Sequence, residues 1–356
     1  MYTEREINLI TLCALEGISY NYIHELCSEL NKDKPDYKKP DAVLIKSHSD
    51  GVYNKLKAQY NDPAFREEVL KKLDKKGITC VTLFSDNYPK LLKETDDPPL
   101  VLYCKGRTEL LKTKCFAVVG SRKCPLKTVA DTKKISGELA QVFTVVSGIA
   151  EGADAAAVEG ALKTGNVICV LAYGFDYIYP TMNAQLLKSV ERKGLVITEY
   201  PPDTPPKVYR FPARNRIIAG LSLGTLVVSA AKKSGALITA DLAVDNNREV
   251  FAFPYYRETE AGEGCNSLIK QGAHLTENIL DILKEFGLDL SLPKEEELQG
   301  DELALYNLLC EEGDLYMPVI AGKLKKQVNQ ILPVISRLEL KGKVIRLGGN
   351  AFSAIK

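Results

Sequence analysis

Six short apolar runs through the middle of the chain constrain its fold more than any other feature. They read CFAVVG (Cys115–Gly120), FTVVSG (Phe143–Gly148), VICVLA (Val167–Ala172), LVITEY (Leu195–Tyr200), GTLVVSA (Gly224–Ala230) and EVFAFP (Glu249–Pro254). Each is short, near-continuously apolar and rich in β-formers, which predicts a strand buried on both faces. Between them lie segments with helical periodicity, such as KTVADTKKISGELAQV and ADAAAVEGALKTG. Alternation of this kind predicts an α/β fold, a doubly wound, mostly parallel, Rossmann-like sheet with helices on both faces.

The flanks have a different texture. From Glu4 to Lys76 apolar residues recur at helical spacing (Ile7, Ile10, Leu15, then Ile23, Leu26, Leu30). The stretch LEGISYNYIHELCSEL reads as a helix-hairpin-helix (SAM-like) domain or as a plain helical cap, and NKDKPDYKKP as a loop. LDLSLPKEEELQG is an acidic linker. Beyond it, three helical segments and a closing KVIRLGGNAFSAI hairpin give a winged-helix-like outline, in which Pro333 predicts a kinked or later-starting third helix. The expected organisation is therefore a helical domain over 1–76, the Rossmann-like domain over 77–287, a linker over 288–300 and the winged-helix-like domain over 301–356.

Several function classes drop out on composition. The nine cysteines are scattered without a Cys-x-x-Cys pair, and the three histidines are far apart, so neither a disulfide framework nor a zinc site is expected. No signal peptide or long apolar span is apparent, which predicts a cytoplasmic protein without membrane association. The net charge of +1 is nearly neutral, so any attraction for polyanions must be local.

In such a sheet, ligands bind beyond the carboxyl ends of the strands. Three of these ends carry small residues that open a helix: GSRKCP from Gly120, SGIAEGAD from Ser147 and SAAKKSGALITA from Ser229. Glycine admits close backbone approach, and a helix N-terminus offers N–H groups to an anion. Gly120, Ser121, Arg122, Ser147, Gly148, Gly152, Ser234 and Gly235 are therefore candidate phosphate contacts, with Lys232 and Lys233 beside them. Dinucleotide and P-loop motifs are both missing, and no catalytic constellation stands at these ends. Asp154 reads as a helix-stabilising carboxylate and Glu199 as a brace for the following loop. This is the pattern of a binder, without catalysis, metal or cofactor.

A second feature says which anion. From Pro201 to Gly235 the chain carries Lys207, Arg210, Arg214, Arg216, Lys232 and Lys233 against Asp203 alone. The core of that stretch, YRFPARNR, adds Phe211 and Asn215 to the arginines. Arginines grip phosphates while aromatic rings stack on unpaired bases, the combination single-stranded nucleic acid requires. The competing reading pairs Arg214 or Arg216 with a core carboxylate and packs Phe211 inside.

These motifs, in this order and followed by GEGCNSLIKQGA, resemble the DprA/Smf family of bacterial DNA-processing proteins from about Gly77 to Asp281. The FPARNRIIAGLS element carries most of that resemblance. It implies a homodimer that binds single-stranded DNA and loads the RecA recombinase during natural transformation. The implied DNA contacts are Arg122, Gly148, Gly152, Phe211, Arg214, Asn215 and Arg216, with Ser234 and Gly235 matching a further loop. Glu151, Val158 and Ser229 depart from the usual pattern. The alternative is a phosphoribohydrolase-like enzyme on a related fold, but GTLVVSA lacks the glutamate such enzymes use.

Overall fold

The computed structural model describes residues 2–15, 50–288 and 298–355. Helix α1 (Glu4–Cys13) opens with a reciprocal cap, in which Glu6 N–H donates to Thr3 Oγ1 at 3.3 Å and Thr3 N–H to Glu6 Oε2 at 2.8 Å. Helices α2 (Asp50–Asn61) and α3 (Pro63–Lys75) follow, the latter started by Asp62 as cap and Pro63 in the first turn. The expected helix-hairpin-helix lies, apart from Leu15, outside the described residues, as do the NKDKPDYKKP loop and most of the linker.

The sheet begins with β1 (Thr79–Thr82), a short helix α4 (Lys90–Lys93) and β2 (Val101–Gly106). Next come β3 (Cys115–Gly120), α5 (Leu126–Leu139), β4 (Thr144–Ser147), α6 (Ala153–Thr164) and β5 (Val167–Val170). Then follow α7 (Ala184–Lys193), β6 (Leu195–Thr198), α8 (Arg210–Leu221), β7 (Ser222–Ser229), α9 (Gly235–Asp245) and β8 (Glu249–Ala252). The unit ends with α10 (Glu263–Lys270), β9 (His274–Leu275) and α11 (Ile279–Glu285). The strands line up as β1-β2-β6-β5-β4-β3-β7-β8-β9, antiparallel at β1–β2 and β2–β6 and parallel elsewhere.

All six runs form strands in this sheet, and alternate side chains serve opposite faces. On β3, Ala117 and Val119 pack with Ile217 of α8 and Ala240 of α9, while Phe116 and Val118 pack with Ile135 of α5 and Ala157 of α6. From β3 the chain adds β4, β5 and β6 on one side. Helix α8 then crosses back so that β7 pairs with the other side of β3. The strand order reverses there, which fixes the crevice at the carboxyl ends of β3 and β7.

A separate cluster of buried residues, including Leu305, Leu309, Ile320, Ile335 and Phe352, belongs to residues 298–355. Its elements are α12 (Gly300–Glu312), β10 (Leu315–Tyr316), α13 (Met317–Lys323), α14 (Val328–Leu340), β11 (Val344–Arg346) and β12 (Ala351–Ala354), with sheet order β10-β12-β11. Helix α14 starts at Val328 and runs through Pro333, so of the expected kink or later start the later start does not hold. Pro333 and Asn329 are both exposed, so the missing N–H falls on the solvent side of the helix.

Candidate nucleic-acid interface

A cleft of about 300 Å³ opens at the predicted crevice, lined by residues of the β3 turn, the α6 start and helices α8 and α9. Its walls are the two glycine turns, pressed together. Gly120 ends β3 so close to α6 that a Cβ would sit 2.6 Å from the Ala153 Cβ. Gly152, at φ +77°, backs onto the carbonyls of Ser121 and Arg122, and a Cβ there would lie 2.6 Å from the Ser121 oxygen. The Ala153 N–H donates to the Ser121 carbonyl at 3.2 Å. On the other side, Ser121 N–H donates to the Ser229 carbonyl at 2.9 Å, so the ends of β3 and β7 and the start of α6 are stitched together.

Arg122 is exposed at the mouth, its guanidinium 5.7 Å from the Phe211 ring. Phe211 is half-buried and meets Tyr179 at 5.5 Å between ring centres. Beside it the proline-rich loop raises Lys207, Val208 (88% exposed) and Tyr209 (62% exposed). Arg210 is fixed over Tyr200 at 5.0 Å and donates to the Pro205 carbonyl. Ser234 caps α9, its Oγ accepting from Ala236 N–H at 3.3 Å. Gly235 has open space where a Cβ would project, so nothing in the fold itself blocks a side chain there. Glu151 is exposed and lines the recess that Arg122, Phe211 and Arg214 also line.

Four expected contacts lie deeper than the sequence suggests. Ser147 is fully buried and donates to the Val118 carbonyl at 2.7 Å, tying β4 to β3. Gly148 is buried beneath two charged groups, for a Cβ there would collide with Asp154 Oδ2 and lie 2.8 Å from Arg214 Nη2. Arg214 is 5% exposed and forms the cleft floor; it donates to the Val170 carbonyl and, through Nε, to Asn215 Oδ1 at 3.2 Å. Arg216 is held by Glu199, which is itself buried, and by Asp97 at 2.9 Å. A side chain clasped by two carboxylates is a strut of the fold, so Arg216 leaves the set of phosphate contacts.

Burial pushes the Asp154 carboxyl above its ordinary value, opposed first by Arg214 and then by the N–H groups of Ala150 and Gly120. Burial likewise lowers Arg214, opposed first by Asp154. Glu199 is raised by its burial, with Arg216 opposing and Asp97 adding to the rise. Of the two buried carboxylates that the sequence marked as minor, Glu199 is the ion-pair partner of Arg216, and Asp154 lies near Arg214 around Gly148.

The sequence reading also passed over Tyr179 and Asn183, from the segment GFDYIYPTMNAQL. Tyr179 lines a second recess beside Phe211 and Arg214, and Asn183 Nδ2 braces the α6 turn by donating to the Ile149 carbonyl at 2.8 Å. Their signal was the segment itself, an aromatic and amide cluster after a strand.

Among the described residues no helix is long and apolar enough to cross a membrane. The family model described as DNA recombination-mediator protein A matches residues 79–287. DNA processing protein DprA of Streptococcus pneumoniae is 40% identical over 206 residues, 58% of this chain and 73% of that protein. Its X-ray structure superposes with a TM-score of 0.67 at 31% identity, covering 82% of this chain and all of the other. Protein Smf of Escherichia coli is 37% identical over 279 residues, 75% of each chain. DNA processing protein A of Helicobacter pylori, whose structure is described for its single-stranded DNA binding mode, gives a TM-score of 0.54 at 32% identity, covering 59% of this chain and 95% of that one.

Proposed function

The chain belongs to the DNA recombination-mediator protein A family, and on that footing we propose that it binds single-stranded DNA along the rim of the β3–β7 cleft and loads the RecA recombinase onto it. The observation that carries this is Arg122 poised 5.7 Å from the Phe211 ring at the cleft mouth. A phosphate grip beside a ring face suits a flexible strand, whose unpaired bases can stack where duplex bases cannot. Lys207, Tyr209 and Arg210 extend that rim, and Ser234, Gly235, Lys232 and Lys233 flank its far side. Contacts of this type do not read base edges, so sequence preference is slight.

In this reading the protein works in the cytoplasm as a homodimer, in DNA uptake and natural transformation, without metal, cofactor or catalysis. The domain divisions at 76, 287 and 300 are part of the same proposal, with 301–356 taken as a winged-helix-like unit. A hydrolase of the phosphoribohydrolase type would need a carboxylate facing the ligand. Glu199 is committed to Arg216 and Asp154 is buried beneath the turn, which favours binding over cleavage.

The test is fluorescence anisotropy with labelled oligo-dT and a matched duplex across a salt series. Expected is tighter binding of the single strand, weakening linearly in log–log form as salt rises. Equal, weak binding of both probes would sink the proposal.

A further inference from the structure

The far edge of the sheet gathers three metal-ligating side chains away from the cleft. Glu249 begins β8, His274 begins β9 and Glu285 ends α11. His274 Nε2 lies 3.0 Å from Glu249 Oε2, and His274 Nδ1 lies 3.6 Å from Glu285 Oε2. One ligand atom from each residue stands within 4.8 Å of the other two. Apolar packing sets these positions. The His274 ring stacks on Phe251, its register partner across the β8–β9 ladder, with ring centres 4.9 Å apart and planes at 28°. Phe251 also meets the Phe286 ring at 6.1 Å, which brings the end of α11, and so Glu285, to the same place. Glu249 precedes Phe251 by two positions on β8 and therefore shares its face of the strand.

Two carboxylates against one imidazole leave an excess of negative charge in either protonation state of the ring. Among the described residues neither carboxylate pairs with a lysine or arginine, so the excess is not answered from within the fold. Two oxygens and an imidazole nitrogen suit a borderline divalent ion, whose ligands stand about 2.0–2.2 Å from it and hence roughly 3–3.5 Å from one another. Glu249 and His274 already have that separation. Glu285, with 41% of its side chain exposed, closes the remaining gap by rotating about its own stem. We infer that Glu249, His274 and Glu285 form a binding site for a divalent transition-metal ion of the zinc type, with its further positions open to water. The ion ties β8, β9 and α11 together at the margin of the sheet. Strand binding at the cleft needs no metal, and the inference stands independently of it. No ligand motif announces the site in the sequence, because Glu249 lies 25 residues before the histidine it meets.

The experiment is isothermal titration calorimetry of zinc chloride into the full-length, chelator-stripped protein, with magnesium chloride as the control ion. Wild type is compared with His274→Ala and Glu249→Gln. Expected is saturable uptake of a single zinc ion per chain by the wild type, and no comparable uptake of magnesium, since an imidazole ligand selects borderline over hard cations. Each variant should bind zinc at least about tenfold more weakly. Circular dichroism in the presence of chelator checks the fold, and should His274→Ala not fold, Glu285→Gln takes its place with the same expected loss. Cysteine thiolates also hold zinc, so uptake that persists undiminished in the folded variants would belong to them and overturn the inference. Absence of saturable uptake by the wild type would overturn it too, as would magnesium bound as tightly as zinc.

Discussion

The arginines of YRFPARNR look alike in the sequence and are employed in three ways. No acidic residue stands among them, which suggested a single cluster facing an external polyanion. The fold brings acids from elsewhere in the chain: Asp154 to Arg214, and Glu199 with Asp97 to Arg216. Only Arg210, over Tyr200 beside the raised loop, stays near the surface. Partners 17 or more residues away are invisible to any local charge count, so the basic run was legible while its division of labour was not. The competing reading, a core carboxylate for a deep arginine, describes Arg216. Arg122→Ala should therefore reduce the salt slope of oligo-dT binding by about one unit with unchanged stability, since it deletes one exposed phosphate contact. Arg214→Ala should instead cost about 3–5 kcal/mol of folding stability, because it strands a buried carboxylate. Urea unfolding alongside salt-dependent anisotropy separates them. A one-unit slope loss in Arg214→Ala at full stability would return Arg214 to the phosphate contacts.

At the scale of elements, the strands buried on both faces announced themselves, since near-continuous apolar runs have few other uses. The edges did not. β1 has four residues and β9 two, too few to display a strand pattern, and β2 pairs antiparallel at the margin of the parallel set. The glycine turns were legible as turns, but their individual duties depend on what packs behind them. Gly152 needs its positive φ and abuts the Ser121 carbonyl, whereas Gly235 faces open space. Gly152→Ala should thus destabilise by about 1–3 kcal/mol and displace the Arg122 turn, lowering strand affinity as a consequence. Gly235→Ala should leave stability within about 0.5 kcal/mol yet still weaken strand binding, if DNA approaches the α9 backbone there. Wild-type affinity in a folded Gly235→Ala variant would move the strand's path away from α9.

Across the whole molecule, near-neutrality and local basicity are reconciled by pairing. Several cations away from the cleft are matched: Lys72 reaches Asp203 at 3.3 Å, and Lys76 binds Asp176, so the end of α3 buttresses the base of the loops around the rim. The same holds in residues 298–355. Lys326 pairs with Asp301, while Arg337 and Lys341 meet Glu302 at 2.7 and 2.9 Å. The helix that would enter a duplex groove in a winged-helix-like unit thus has its charges answered from α12. It exposes Val328 and Leu332 where a DNA reader would carry cations. Lys325, exposed at the turn before α14, is the cation best placed to contradict this. If the unit serves no duplex, Lys325→Glu in the full chain should leave the salt slopes for duplex and oligo-dT both unchanged. A fall of about one unit in the duplex slope alone would place a phosphate at that turn. The molecule would then have two nucleic-acid surfaces, the second reading double strands with a unit whose remaining charges are balanced internally.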